Sequence, residues 1–232
     1  MSGKDEYSAG LPGSDGEHEL QECYGTSKRA RAFYSRQMLD HLNEEMREFI
    51  ARQEMVFVST ADAGGECDCS LRCGEPGFVR FLDSRHLAYP EYRGNGVMAS
   101  LGNLSTNGHI GMFFADFFSS TIGLHVNGKA VIVENEELLG RENLPAEILA
   151  DLEITGGRSP ERWVEVEVEE AYIHCSKHIP LLKKLDKQVD WGTDDEVKKG
   201  GDFFSAKKTP SPWKAEGAGG EAAEEEKETG DE

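Results

Sequence analysis

Alternating apolar and polar positions dominate the chain between about residue 55 and residue 175. A short β-branched run at 55–60 ends in turn residues at 61–65, which predicts a hairpin with a partner strand at 67–73. Further strands are predicted at 77–83, 85–89, 109–116, 122–134 and 163–175, and a short helix at 98–104. Before them, apolar residues at helical spacing predict an amphipathic helix over 35–53, namely Met38, Leu42, Met46 and Phe49.

The last predicted strand, 163–175, changes its inward face partway along. The valines at 164, 166 and 168 share one parity, whereas Ala171 and Ile173 have the opposite one. A β-bulge near Glu169 and Glu170 would restore a single inward face. Residues 174–178 then leave the end of the strand, and a short helix containing Leu181, Leu182 and Leu185 is predicted to follow.

In the predicted strand 67–73, strict alternation separates two sets of side chains. Cys67, Cys69, Leu71 and Cys73 are predicted to face the core. Asp68, Ser70 and Arg72 would then face outward, toward a ligand or a partner subunit. The cysteine spacing lacks the Cys-x-x-Cys arrangement of metal knuckles, so we expect no metal site.

Six or seven short antiparallel strands predict a closed or partly closed β-barrel, since a long open sheet would expose unpaired edges. The two ends of the chain are polar and rich in glycine or glutamate, with too few apolar residues to offset the entropy of ordering them. We therefore predict disordered segments at 1–27 and 206–232, flanking one domain at 28–205.

Charge and cysteine content limit the classes of function. The net charge of −19 is concentrated at the ends: residues 1–22 carry one lysine against six acids and residues 214–232 two lysines against eight, which leaves −8 between them. The sequence contains no basic patch of the kind that binds nucleic acid, so we expect no nucleic-acid partner. Five cysteines in a chain without an apolar leader or a spanning segment favour a cytoplasmic protein with reduced thiols and no membrane partner.

Two polar interruptions of the strand pattern have the chemistry of an anion site. One is 70–72, with Ser70 and Arg72; the other is Arg93, Gly94, Asn95 and Gly96, directly before the predicted helix. Guanidinium groups offer forked donors to phosphate, and glycines let backbone N–H groups approach it. Two other readings stay open: Arg72 could pair with a carboxylate, and Asn-Gly could form a hairpin turn.

The chain resembles the pyridoxamine 5'-phosphate oxidase-like superfamily of FMN-binding split β-barrels, in its predicted flavin-nucleotide-binding branch. The similar segments are SLR at 70–72, PGFVRFLD at 76–83, YRGNGVMASLGN at 92–103, HIGMFFADF at 109–117, LHVNGKA at 124–130 and EVEEAYIHCSKHIP at 167–180. The resemblance implies a mainly β, antiparallel split barrel of Greek-key type, with an N-terminal helix and small peripheral helices.

The resemblance also implies a homodimer that binds FMN at the subunit interface. Ser70 and Arg72 would lie beside the flavin, and Tyr92 with Arg93–Gly96 would form the loop that receives the 5'-phosphate. The remaining implied contacts are Asn103, which would anchor the loop or touch the ribityl chain, and Lys177, near the isoalloxazine ring. His125 would replace one of the family's contacts to the pyrimidine edge of the flavin.

The segment HCSKHIP at 174–180 is no equivalent of the substrate motif of true pyridoxamine phosphate oxidases, so synthesis of pyridoxal phosphate is not expected. The sequence favours an FMN-dependent oxidoreductase acting on an unknown small molecule, in which the flavin carries the electrons. The alternatives are a non-catalytic flavin-binding or flavin-sensing module, and a split barrel that uses deazaflavin or haem.

Overall fold

The computed structural model describes residues 10–213. Residues 10–188 belong to one compact unit and residues 189–213 to a second, and each is described by itself. The first unit contains the helices α1 (Asp15–Cys23), α2 (Ser27–Gln37), α3 (Glu44–Ala51), α4 (Ala99–Thr106), α5 (Asn135–Leu139) and α6 (Ala146–Leu152). Its strands are β1 (Met38–Leu39), β2 (Met55–Ala61), β3 (Cys67–Cys73), β4 (Arg80–Phe81), β5 (His86–Glu91), β6 (His109–Ala115), β7 (Gly123–Val133) and β8 (Arg162–His174).

All eight strands belong to one antiparallel sheet with the order β3-β2-β6-β7-β8-β5-β4, and β1 pairs with β8. This arrangement confirms the predicted mainly β split-barrel fold. The strand count exceeds the predicted six or seven because β1 and β4, of two residues each, also pair. The sheet is open, with β3 and β4 at the two ends of the order.

One face of the sheet encloses the core, and we call the opposite face the outer face. The core face carries apolar side chains from β2, β5, β6, β7 and β8 that are almost fully buried, including Val56, Val58, Leu87, Met112, Phe114, Val126, Val164 and Val166. Helices α3 and α4 supply Phe49, Ile50, Leu101 and Leu104 to the same cluster. A smaller cluster around Trp163 packs α5 and α6 against the sheet.

The predicted bulge in the last strand is confirmed. Asn127 of β7 pairs with Glu170 and the next residue, Gly128, pairs with Val168, so Glu169 is the extra residue. Gly128 accommodates the bent strand: a Cβ built on it would lie 1.9 Å from the carbonyl oxygen of Glu167. Because side chains on both sides of the bulge keep facing the core, β8 remains a single continuous strand of 13 residues.

The predicted orientation of β3 is wrong. Arg72, Ser70 and Asp68 pair with the buried residues of β2 and share their face, whereas Cys67, Cys69, Leu71 and Cys73 are exposed on the outer face. The valines of β2 decide the orientation, because paired residues of antiparallel strands point to the same side. As a terminal strand, β3 can place small thiols outside at little cost.

Two predicted helices and one predicted strand also differ from the structure. The helix predicted over 35–53 is divided: α2 ends at Gln37, β1 follows, and only α3 covers 44–51, because β1 pairs with β8. The strand predicted at 77–83 is reduced to β4. Residues 179–188 form no helix, and their three leucines are exposed.

The described residues extend beyond the predicted domain, 28–205, at both ends. Helix α1 and the first residue of α2 lie within the predicted disordered segment 1–27. Ser14 caps α1, since its side chain accepts a hydrogen bond from the Glu17 amide. Residues 1–9 and 214–232 lie outside the described residues. In the second unit, residues 189–213 contain a 3₁₀ turn, Ala206–Lys208, at the start of the predicted tail 206–232. No helix in the described part of the chain combines the length and apolarity needed to cross a bilayer.

Candidate functional site at the seam between β3 and β5

The core-facing side chains of β3 contact elements that are distant in the sequence. Ser70 Oγ donates a hydrogen bond to Asp68 Oδ2 at 2.8 Å, and Ser100 Oγ of α4 donates to the same oxygen at 3.2 Å. The Ser70 and Ser100 hydroxyl oxygens are 3.3 Å apart. Since Ser100 is the second residue of α4, this cluster joins β3 to the N-terminal turn of that helix.

Arg72 connects β3 to β5 across the opening of the sheet. Its Nε donates to Glu91 Oε1 at 2.8 Å, and the two side chains are only 21% and 10% exposed. Glu91 is the last residue of β5, immediately before Tyr92 and Arg93. The reading in which Arg72 pairs with a carboxylate is thus observed, and the pair places Arg72 beside the start of the glycine loop.

The side chain that lies behind this pair in β5 is completely buried. Tyr89, two residues before Glu91 on the same strand, is fully buried, and its hydroxyl has no hydrogen-bond partner within the described residues. Burial, reinforced by the negative charge of Glu91, raises the pKa of Tyr89, so its hydroxyl stays protonated. The Arg72–Glu91 pair therefore separates an apolar interior from the exposed loop.

The glycine loop, 93–96, is exposed and leads into α4 through an unusual backbone turn. Asn95 Oδ1 accepts a hydrogen bond from the Val97 amide at 3.0 Å, and Gly96 has a φ of 79°. Met98, the N-cap of α4, has a φ of 58° and makes no side-chain cap. A loop feeding a helix N-terminus, rather than a hairpin turn, is what the structure contains, and such a terminus presents amides to an anion.

Space around the loop is open. A Cβ built on Gly94 or Gly96 would meet nothing within 4 Å. Tyr92 is directed elsewhere: burial and the negative charge of Asp151 in α6 raise its pKa. Among the predicted phosphate-loop residues, the structure thus groups Arg93 to Gly96 with the start of α4, whereas the hydroxyl of Tyr92 lies toward α6.

Asn103 anchors α4 rather than the loop itself. Its Nδ2 donates to Thr60 Oγ1 of β2 at 3.0 Å. Asn107, which follows the last residue of α4, donates from its side chain to the backbone oxygen of Asp62 at 3.3 Å. These two bonds, with the Ser100 cluster, fix α4 on the hairpin β2–β3.

His125 lies on the outer face, in a row of side chains that crosses five strands. We define this outer row as Leu71, Phe57, Phe113, His125 and Tyr172, which are paired successively from β3 to β8. The His125 ring lies 4.9 Å from that of Phe113 and 4.8 Å from that of Tyr172. Its Nε2 is 2.9 Å from Nδ1 of His174.

The surroundings of His125 keep it neutral. Burial first, and the neighbouring His174 second, lower its pKa below the ordinary value of 6.5. A neutral imidazole has one donor and one acceptor nitrogen, so one contact is used by His174 and the other can serve a ligand.

The remaining predicted site residue, Lys177, is exposed in a 3₁₀ turn, Ser176–His178, after β8. The chain then passes the loop after β6, where the Leu182 amide donates to the Phe117 carbonyl at 2.7 Å. Lys184 pairs with Glu54, next to β2. This segment therefore runs from the end of β8 back to the β2–β3 hairpin.

The structure divides the predicted site into two parts. Ser70, Arg72, Asn103 and the glycine loop are joined through α4 and β5, whereas His125 and the outer row lie on the opposite face of the sheet. A groove of about 880 Å³ on the outer face is bounded by the start of α1 and by Ser59, Gly111 and Glu170, and none of the predicted site residues lines it.

Three residues of the seam were not predicted as site residues, namely Glu91, Ser100 and Arg162. Arg162 begins β8 opposite Glu91, and its Nη1 lies 3.8 Å from Met98 Sδ at the N-terminus of α4. A charged residue at a strand end was the available signal, since Glu91 is the last residue of β5 and Arg162 the first of β8. Their pairing depends on strand order, which the sequence does not state.

The open antiparallel sheet with a helix inserted beside its seam defines a split-barrel protein. Residues 42–175 match the family model described as pyridoxamine 5'-phosphate oxidase. The match covers more than half of the chain, and the chain therefore belongs to that family. A comparison with curated proteins gave no match.

Several solved structures are similar to this chain at low sequence identity. HupZ of Group A Streptococcus is 23% identical over 57% of this chain and 93% of its own, with a TM-score of 0.43. A putative pyridoxamine 5'-phosphate oxidase from Lactobacillus delbrueckii is 22% identical over 59% and 98%, with a TM-score of 0.42. The heme storage protein HutZ of Vibrio cholerae is 15% identical over 57% and 94%, with a TM-score of 0.36.

Proposed function

We propose that the protein binds FMN and acts as an FMN-dependent oxidoreductase on a small molecule. Family membership supports this proposal, and so does the junction of β3, β5 and α4. The observation on which it rests is the glycine loop, 93–96, held next to an uncapped helix N-terminus and fixed from behind by the Arg72–Glu91 pair.

The residues of this junction suit a phosphate group. Arg93 contributes a guanidinium to the loop, and the α4 N-terminus contributes amides and the positive end of a helix dipole. The open space at Gly94 and Gly96 leaves room for phosphate oxygens against the backbone. Glu91, the carboxylate immediately before the loop, is already paired with Arg72.

When bound, the flavin would supply the hydride or electron chemistry. The chain would hold the cofactor, orient it and shield one side of it from water. His125, which is neutral at pH 7, would offer one hydrogen bond to an edge of the ring. Lys177 would lie close to the same ring as a mobile cation.

The proposal includes a homodimer. His125 and the outer row lie on the opposite face of the sheet from Ser70 and Arg72. A flavin that contacts both His125 and the glycine loop therefore needs the outer face of one chain next to the seam of another. A sedimentation mass of one chain for the flavin-loaded protein would contradict this part of the proposal.

The experiment is to purify the full chain, add FMN, remove the unbound fraction and record the absorption spectrum. We expect the bands of oxidised flavin, which bleach on addition of NADH or NADPH. A flavin that stays oxidised with every donor would instead identify a non-catalytic flavin-binding module. A chain that retains no FMN but binds deazaflavin or haem would refute the proposal in favour of those cofactors.

A further inference from the structure

Arg162 and Arg72 are the two seam arginines whose partners the structure defines, and they differ in how firmly they are held. Arg72 is hydrogen-bonded to Glu91 at 2.8 Å, and both groups are largely buried. Turning Arg72 toward another anion would leave the Glu91 carboxylate buried without its partner, which is strongly unfavourable. Arg72 is thus committed to closing the seam.

Arg162 has no comparable partner in the described part of the chain. Its nearest carboxylates, Glu134 and Glu161, are each 3.8 Å away, beyond hydrogen-bond distance, and are 61% and 39% exposed. Exposed pairs at such distances contribute little. The Arg162 guanidinium can therefore exchange these contacts for a better anion at low cost.

The position of Arg162 is set by the sheet. It is paired with Glu91 across β5 and β8, and Glu91 precedes the glycine loop. Its guanidinium contacts the side chain of Met98, the residue that begins α4. An anion at the N-terminus of α4 would lie beside a guanidinium that already reaches that terminus.

We infer that Arg162, rather than Arg72, is the second guanidinium of the phosphate site, together with Arg93. Arg72 and Glu91 are positioning residues that hold the loop in place without touching the cofactor. This inference rests on the proposed binding of FMN and names the side chain that recognises its phosphate. Arg93 and Arg162 thus bind the phosphate, whereas Arg72 holds the loop in position.

The test compares FMN with riboflavin, which has the same ring and lacks the phosphate. The full chain is titrated with each flavin, and flavin fluorescence is followed. Arg162→Gln is expected to weaken FMN binding by about 10- to 100-fold, since it removes a charge-assisted hydrogen bond, and to leave riboflavin affinity unchanged. Arg162→Lys keeps the charge and should restore part of the loss.

The matched control is Arg85→Gln, which also removes one guanidinium but lies at the other end of β5, paired with exposed Asp40. It should change neither affinity. Glu91→Gln distinguishes the role of Arg72 from that of Arg162. FMN binding should not become tighter in this variant if Arg72 only holds the loop in position. Unfolding temperatures of all variants show whether each one is folded.

Two results would overturn the inference while leaving the proposed function intact. One is an FMN-to-riboflavin affinity ratio in Arg162→Gln equal to that of the wild type. The other is tighter FMN binding in Glu91→Gln, which would show that Arg72, once released, is the phosphate ligand. A wild-type chain that binds neither flavin would refute the proposed function itself.

Discussion

Replacing Gly128 with Ala tests the packing of the bulge between β7 and β8. The added Cβ would meet the carbonyl oxygen of Glu167 at 1.9 Å and the Val168 Cα at 3.2 Å. Both obstacles are backbone atoms of the neighbouring strand, so no side-chain rotation can relieve the contact. The strands must separate, or the bulge must move.

The size of the effect follows from that contact. Overpacking a core costs about 1–3 kcal/mol, and a clash with backbone belongs at the upper end, about 3 kcal/mol. For a domain of this length each kcal/mol lowers Tm by about 2–4 °C, so Gly128→Ala should lower Tm by about 6–12 °C. Thermal unfolding followed by tryptophan fluorescence, to which the buried Trp163 contributes, measures this.

Gly111→Ala on the adjacent strand β6 is the matched control. Its new Cβ would lie 3.4 Å from Asn127 Oδ1, an ordinary contact with a side chain. The control should leave Tm unchanged or slightly raised, because alanine reduces the entropy of the unfolded chain. Equal Tm values for the two variants would refute the close approach of the bulged strand.

Three further predictions concern the site and its support. Arg93→Ala should weaken FMN binding by about 10- to 100-fold, as measured by fluorescence titration, and unchanged affinity would contradict the loop assignment. Because the pKa of His125 is lowered on folding, its contribution to stability is complete above pH 6.5 and falls as the pH drops below that value. His125→Gln should therefore flatten the acid side of a denaturation curve measured between about pH 5 and 7. Asp151→Asn breaks a bidentate bond to Arg80 at 2.7 and 2.9 Å and should lower the unfolding free energy by about 1–3 kcal/mol in urea, whereas Asp40→Asn at an exposed pair should have little effect.

The parts of the fold that depend on local alternation were predictable. The parity change between Val168 and Ala171 indicated a bulge near Glu169 and Glu170, where the structure has it, since a regular strand cannot keep one face inward across an odd step. The strands β6 and β7 were predicted for the same reason, at 109–116 and 122–134. In each case both faces of the strand differ clearly in polarity.

The orientation of β3 shows the limit of that approach. Cysteine is small and moderately apolar, so alternation with Asp68 and Ser70 suggested that the thiols are buried. Orientation was decided by the partner strand β2, whose valines left no choice of face. Helix α1 was missed because none of its side chains is buried, and the sequence then lacks the apolar spacing that indicates a helix.

The candidate site was predictable as a set of residues but not as an arrangement. Glycine and arginine in the loop, 93–96, indicated anion chemistry, and the structure places that loop at a helix N-terminus. The sequence could not show that Arg72 is paired with Glu91, since 19 residues separate them and only the tertiary fold brings β3 next to the end of β5. Likewise, the separation of His125 from Arg72 follows from strand register.

The thiols on the outer face of β3 provide a reporter of assembly. Cys67, Cys69 and Cys73 lie along this terminal strand, with Cys69 and Cys73 on either side of Leu71, and all three are exposed in the single chain. Burial and the nearby charge of Glu54 raise the pKa of Cys73, so that thiol should alkylate more slowly than the other two. If two copies cover this face, maleimide labelling of the β3 thiols will slow as protein concentration rises, and Cys23 on α1 serves as the reference thiol.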